Sequence, residues 1–363
     1  MASIKLKGDT SGEITIQAPA VAGTTTLNLP ATSSTLATQN ALGVRNLIIN
    51  GDMRIDQRNA GSANTINVDG EYTLDRWKAS SRQAPTYNRF TVQQVTDAPD
   101  NAINSLKVTS LVSYTLASDD YHIISQYIEG TNIAHLGFGT ANAKTVTVSF
   151  YVKSSLTGTF GGSLRNSSGT RSYPFSYTID SANTWEKKTI TIEGDTTGTW
   201  VTSTATGMIL WLGLGVGSQY SGTAGAWSAN NYFSTTGTTS VVGTSGATWQ
   251  VSLVQLEIGT EATPFEHRPY DMELARCQRY YHYIGDGTTT LLYGFVISTS
   301  NNFRLYQSDF PVAMRANPTI TYINDTGSFS TFRQDNKWFN AISNAGNTTD
   351  TETLYQYKAD AEL

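Results

Sequence analysis

Apolar and polar residues alternate along most of this chain, the period of a strand with one buried face. The runs are Phe90 to Val95, Ser105 to Val112, Ile123 to Ile128, Val146 to Val152, Trp185 to Ile192, Met208 to Leu214 and Trp249 to Leu256. Gly, Ser, Asn and Asp separate them, the residues that turns require. The pattern predicts antiparallel strands folded into a two-sheet sandwich, bracketed by a first strand near Leu47 and a last near Val254. Ahead of it, Ile4-Lys-Leu6, Ile14-Thr-Ile16 and Leu27-Asn-Leu29 form three shorter alternating units. Three such strands cannot bury enough surface to offset the entropy of ordering them, so they call for partners from other chains or a larger body. After the sandwich, Pro269, an Asp271 N-cap, and Leu274, Cys277, Gln278 and Tyr281 on one face predict one short helix. Strand patterns resume at Thr290 to Ile297, Phe303 to Tyr306 and Ile320 to Ile323. The expected organisation is a segment 1–42 ending in the small, polar linker 31–39, a sandwich 43–268, and a helix with a small β domain 269–363.

Composition narrows the function classes. At 363 residues the chain has room for two or three domains. Only 15% of residues are charged while 11% are aromatic and 31 are Gly, which favours strands and polar turns over long solvated helices. A formal charge of −5 gathers neither nucleic acid nor an anionic membrane. The lone cysteine, Cys277, excludes an intrachain disulfide and reads as a small buried hydrophobe. The N-terminus lacks the apolar core of a secretory signal, and no stretch approaches the roughly twenty apolar residues of a membrane span. Folding in a reducing cytoplasm is expected, with no membrane insertion.

Three motifs recur in a telling order: Asn46-Leu-Ile-Ile-Asn-Gly-Asp-Met-Arg-Ile-Asp-Gln-Arg58, Tyr72-Thr-Leu-Asp-Arg-Trp77, and Gln255-Leu-Glu-Ile-Gly-Thr-Glu-Ala-Thr-Pro-Phe-Glu-His-Arg-Pro-Tyr270 running on into Glu273-Leu-Ala-Arg-Cys-Gln-Arg-Tyr-Tyr281. In this order they resemble bacteriophage tail-fibre and related virion appendage proteins built on a carbohydrate-binding-module-like jelly roll. Phe310 to Ile320 resembles the segment that follows the helix in those proteins. The resemblance implies an all-β fold: an N-terminal anchoring or trimerisation segment, a central antiparallel jelly roll, one short helix and a small C-terminal β domain. It also implies a homotrimer on the virion surface, assembled in the bacterial cytoplasm and attached through other virion proteins, a tail or capsid adaptor. Ile4, Leu6, Ile14, Ile16, Leu27 and Leu29 would make the trimer or anchor contacts.

Catalytic chemistry is sparse. No nucleophile elbow, zinc-binding His-Glu-x-x-His or phosphate loop is present, and Gly213-Leu-Gly-Val-Gly217 lacks the third spaced glycine and following helix of a dinucleotide loop. His122, His135, His267 and His282 are not at metal-ligand spacing. Asp119, Asp120 and Glu129 are the carboxylates a glycoside hydrolase would pair; in a strand, adjacent Asp119 and Asp120 would face opposite ways. No enzyme is expected. Asn67, Asp69 and Glu71 offer oxygen ligands for a structural calcium ion, of the kind related jelly rolls hold, or form an ordinary turn.

Aromatics are the stronger lead, since rings stack on sugar faces while amides and carboxylates bond hydroxyls. Gln219 to Phe233 places Tyr220, Trp227, Asn231 and Tyr232 in one Gly-rich loop, and Trp338 follows Arg333-Gln-Asp-Asn-Lys337. Trp227 and Asn231 also match a framework segment of the resembling family. Trp77, Trp200, Trp211 and Trp249 fall in strand patterns and are expected in the core. The leading expectation is a tail fibre or receptor-binding protein contacting host surface glycan. A head fibre or capsid decoration with a purely structural role is the alternative. A polysaccharide depolymerase is a distant third, disfavoured by the scarcity of convergent acids.

Overall fold

A computed structural model describes residues 3–7, 13–17, 45–82, 88–284, 294–298, 303–323, 329–343 and 356–363. The chain forms two compact units, Met1–Leu42 and Gly43–Leu363. In the first, Ser3–Lys7 and Glu13–Gln17 pair antiparallel, with Ile4 opposite Ile16 and Leu6 opposite Ile14. A two-stranded ribbon is marginal alone in water. Leu27, Leu29 and the linker 31–39 lie outside the described residues.

The second unit holds a sandwich of two six-stranded sheets. In spatial order the first sheet is Ser172–Ile179, Gly158–Asn166, Thr206–Val216, Tyr121–Glu129, Lys78–Arg82 and Glu71–Tyr72. The second is Glu186–Ile192, Val146–Ser154, Thr248–Ile258, Ser105–Ser110, Phe90–Val95 and Asn64–Thr65. Their pairings are antiparallel. Alternation delivers Ile124, Ile128, Leu164, Phe175, Leu210 and Leu212 from one sheet against Val92, Val108, Val148, Phe150, Val152 and Trp249 from the other, all buried. Each such side chain contributes roughly 1.5–3 kcal/mol. Tyr177 keeps its hydroxyl satisfied inside by accepting from Trp249 Nε1 at 3.2 Å. Among the described residues no helix is long and apolar enough to cross a membrane.

Several expected details change. The segment near Leu47 is not a strand: it lies along Thr248–Ile258 through Leu47 N to Leu256 O at 2.9 Å and Val254 N to Gly51 O at 2.8 Å, but side chains supply most of its other bonds. Of the run Gly213 to Gly217, Gly213 and Gly215 flank a register shift inside the central strand Thr206–Val216 and Gly217 follows its end. The helix spans Tyr270–Gln278 with Pro269, not Asp271, at its N-cap. Pro269 enters extended, and its carbonyl takes Glu273 N at 3.1 Å, so Asp271 sits in the first turn. Tyr281 opens a strand; Tyr280 instead joins Cys277, Ile49 and Ile55 in a small buried cluster. C-terminal strands form two further sheets, Tyr281–Ile284, Gln356–Asp360, Thr319–Ile323 and Gly294–Ser298, Phe303–Asp309, Trp338–Ser343, Phe329–Gln334, over Phe310, Met314, Phe339, Tyr357 and Ala359.

The three sequence motifs meet as one buried polar hub. Asn46 Oδ1 accepts from Ile48 N at 3.0 Å and Leu256 N at 3.1 Å, and its amide donates to Val254 O at 3.1 Å. Glu266 accepts from the backbone of Arg45 and Asn46 at 2.7 Å each. Arg268 pairs with Glu273 at 3.0 Å and donates to Ile48 O and Asn46 O; Glu273 in turn accepts from Asn50 N. Asn50 bonds Ile55 through both its oxygen and its amide, and its amide also donates to Asp75 O at 3.0 Å. Asp75 accepts from Gln57 N at 2.7 Å, and burial pushes its carboxyl up to about 6. Arg76 pairs with Glu362 and lies 3.6 Å over the Tyr280 ring, so the hub also holds the C-terminal end.

Candidate functional site

On the sheet containing Thr206–Val216, side chains that do not enter the core face outward, and the register aligns them in rows. Arg165 stands opposite Ile209, and Ile209 opposite Tyr127. The next row runs Ser163, Trp211, Ser125, Lys78 and Tyr72. Tyr121 stands opposite Arg82. The loop after Val216 folds back over this face, held by Ser221–Gly222 paired with Ser234–Thr235. Gly161 leaves it room: a Cβ there would meet Thr238 at 2.9 Å and Thr235 at 3.0 Å.

The loop lays Phe233 on Trp211, centroids 4.0 Å apart, and Tyr220 stacks on Phe233 at 4.6 Å with parallel rings. Tyr121 meets Tyr220 and Phe233 edge-on at 5.5 and 5.0 Å. Trp211, expected in the sandwich core, is buried instead on the outer face, with Ile123, Ile209, Val216 and Phe233. Tyr72, Tyr121, Tyr127 and Tyr220 stay half-exposed and make an aromatic ledge.

Cations interleave with the rings. The Arg165 guanidinium lies 4.9 Å from the Trp211 centroid and 5.5 Å from Phe233, and donates to Asn231 Oδ1. The Lys78 ammonium lies 4.7 Å from Tyr127 and 5.4 Å from Tyr72. Arg82 donates to the Tyr220 hydroxyl at 3.2 Å, and the Tyr121 hydroxyl donates to Asp69 at 2.8 Å. Burial pushes Lys78 and Arg165 below their ordinary pKa values, opposed by Asp69 for Lys78 and by Tyr127 and Tyr121 for Arg165. Burial, then the bond to Asp69, pushes the Tyr121 hydroxyl up. A ledge of rings edged with donors and one carboxylate can stack on a pyranose and bond its hydroxyls.

The loop residues singled out from sequence divide. Tyr220 and Asn231 belong to this face, and Tyr232 flanks it, its hydroxyl accepting from Asn230 at 3.1 Å and its N–H donating to Ser172 Oγ at 3.2 Å. Trp227 turns the other way. It meets Tyr173, Trp200 and Phe138 edge-on at 5.4, 5.6 and 5.9 Å, and its Nε1 donates to Glu193 O at 2.7 Å. Trp338 lies in a C-terminal strand opposite Asp309, its N–H on Asp335 at 3.1 Å. Tyr72, Lys78, Tyr121, Tyr127 and Arg165 were not legible as site residues. The one available signal was the two-residue period placing Tyr121, Ile123 and Tyr127 on one side of their strand.

Other groups considered as sites have partners. Asp69 takes the Tyr121 hydroxyl and Glu71 takes the Asn64 amide at 2.6 Å, while Asn67 is exposed. Among the described residues no three His, Cys, Asp or Glu gather as a metal site. Asp120 closes a turn by accepting from Tyr114 and Ala117 at 2.6 Å each. Glu129 takes Thr131, Arg279 and Tyr280. His122, bonded to Ser81 at 2.9 Å, and His282 are both pushed down to about 4 by burial. On the opposite sheet a cleft of about 490 Å³ opens where a bulge sets Leu253 at φ 53°, with Tyr151, Lys187, Phe265 and His267 on its walls.

No protein-family model matches the chain, and no curated protein matches it in sequence. Among solved structures it is similar to the enzymatically active domain of tailspike protein 4 of bacteriophage CBA120, at 13% identity and a TM-score of 0.29, over 51% of this chain and 19% of that one. It is similar to a CBM4 structure at 13% identity and a TM-score of 0.30, over 58% of this chain and 98% of the other. A family 11 carbohydrate-binding module of a Clostridium thermocellum cellulosomal cellulase is similar at 14% identity and a TM-score of 0.28, over 56% and 99%. At such identities and TM-scores these likenesses carry no argument about what the chain binds.

Proposed function

We propose that this chain is a non-catalytic glycan-binding protein of a phage virion, a tail fibre or receptor-binding subunit, whose outer sheet face contacts the host surface. The observation that carries this reading is the half-exposed ledge of Tyr72, Tyr121, Tyr127 and Tyr220, backed by Trp211 and Phe233 and edged by Asn231, Lys78 and Arg82. Rings of this kind give sugars an apolar surface, and the edging groups supply orientation. The virion assignment leans on the resemblance of the three motifs in their order. Homotrimeric assembly through the N-terminal ribbon is part of the same reading, because a lone ribbon is marginal and several copies would multiply weak sugar contacts. Absence of catalysis fits the engagement of Asp120 and Glu129 in structural bonds.

The test is binding of the purified chain to polysaccharide from host cells, with competition against particle adsorption. Saturable binding, and adsorption blocked by the free protein, is the expected result. No binding, with adsorption unaffected, would overturn the reading in favour of a purely structural capsid component.

A further inference from the structure

The charges on the aromatic face are unequal. Elsewhere in the second unit, several buried or half-buried arginines face carboxylates, Arg76 with Glu362, Arg171 with Asp195, Arg268 with Glu273 and Arg279 with Glu129, while Arg315 is held by three backbone carbonyls. On the face, Lys78, Arg82 and Arg165 form no ion pair with a described residue. Arg165, only 9% exposed, donates to the neutral acceptors Asn231 Oδ1 and Ser167 O, and its Nε has no partner among the described residues. The nearest carboxylate on the face is Asp69, which accepts from Tyr121; Glu362, whose charge also acts on Lys78, is held by Arg58 and Arg76. Three cations thus stand against one exposed carboxylate, on a chain whose formal charge is −5.

A cation held among rings without a countercharge carries a desolvation cost that an arriving anion offsets. Burial weakening the hold of Lys78 and Arg165 on their protons is the same cost seen from the side chain. Guanidinium and ammonium groups bond anionic oxygens more strongly than hydroxyls. Resting on the glycan-binding reading of this same face, we infer that its ligand is an acidic glycan: rings stack on the sugar while Lys78, Arg82 and Arg165 receive an anionic substituent. The anion is a uronate-type carboxylate or a sulfate or phosphate ester; the chemistry common to them is a charged oxygen group on a pyranose.

Two matched probe pairs test this with the full chain. One is oligogalacturonate against its fully methyl-esterified form; the other is sulfated against unsulfated dextran oligosaccharide. At least one acidic member should bind about tenfold or more tightly than its neutral partner, with the advantage shrinking as salt rises. The pair that responds tells carboxylate from ester. The preference ratio should fall toward one in Lys78→Gln and in Arg82→Gln, which keep the melting temperature if they fold as the parent does; Arg165→Gln serves as a third variant. Equal binding of charged and neutral partners, or a preference that survives these substitutions, overturns the inference while glycan binding stands. Failure of every probe, together with failure to bind host polysaccharide, overturns both.

Discussion

The motif hub and the aromatic face are both rich in polar groups, but they use them oppositely. In the hub, Asn46, Asn50, Arg268 and Glu273 bond one another or nearby backbone and are sealed from solvent. On the face, Lys78 and Arg82 meet rings and a phenol hydroxyl, and each tyrosine of the ledge keeps part of its surface in solvent. Buried polar groups must be satisfied internally or the fold fails, so the hub tolerates few substitutions and spells recognisable words. The face has no such constraint, and its unsatisfied charge is what a ligand can use. The most legible part of the sequence is therefore scaffold, and the chemistry lies elsewhere.

The sharpest way to break this contrast is to damage the hub. Glu273→Leu leaves Arg268 with Glu266 as its remaining carboxylate and strands the Asn50 N–H, and should cost about 3 kcal/mol in denaturant unfolding. Adding Arg268→Met should recover part of that loss, because the buried guanidinium left short of one carboxylate goes too. If the double variant is no better than the single, the pair is not the unit described here.

Acid separates the regions next. Folded His122 and His282 release their protons at about 4, below the ordinary histidine value, so the unfolded chain binds more protons between pH 4 and 6.5. Stability from them is complete above about 6.5 and is lost as pH falls through that window, roughly 3 kcal/mol for each. Asp75, raised to about 6, works the other way: it favours the folded state below about 4 and loses that effect as pH rises toward 6. Unfolding free energy against pH should flatten in His122→Gln. An unchanged slope would place the titration elsewhere.

Trp227→Ala comes third, at roughly 2–3 kcal/mol for a half-buried ring in a four-aromatic cluster, with glycan affinity retained. Loss of affinity at unchanged stability would return Trp227 to the binding surface. Tyr127→Ala should cost somewhat less, roughly 1–2 kcal/mol for a ring packed on the Ile209–Trp211 cluster, while weakening glycan binding about tenfold or more. Trp338→Ala should leave binding as it was.

The strands that alternate were visible in sequence because their faces are chemically distinct, as in Phe90–Val95 and Val146–Ser154. Gly158–Asn166 was not, since Gly161 and Gly162 give way to the overlying loop and to Phe175 and so break the two-residue period. Lys78–Arg82 carries too few apolar residues to announce itself, whereas Ser172–Ile179 does alternate, with Tyr173, Phe175, Tyr177 and Ile179 on one face, and was legible but overlooked. The site suffered accordingly: Arg165 and Lys78 lie on the two silent strands. Tyr220 and Asn231 were reachable because their Gly-rich loop stands out in composition, but the direction each ring takes is a tertiary property. Trp211 and Trp227 illustrate this, one buried outside the core and the other packed against it.

Hydrogen exchange of the full chain, with and without bound host polysaccharide, tests the central claim most directly by locating the contact. Protection should concentrate in peptides covering residues 71–82, 121–129 and 218–236. Protection confined to 146–153 and 262–267, around the cleft beside Leu253, with the aromatic face unchanged, would contradict the account.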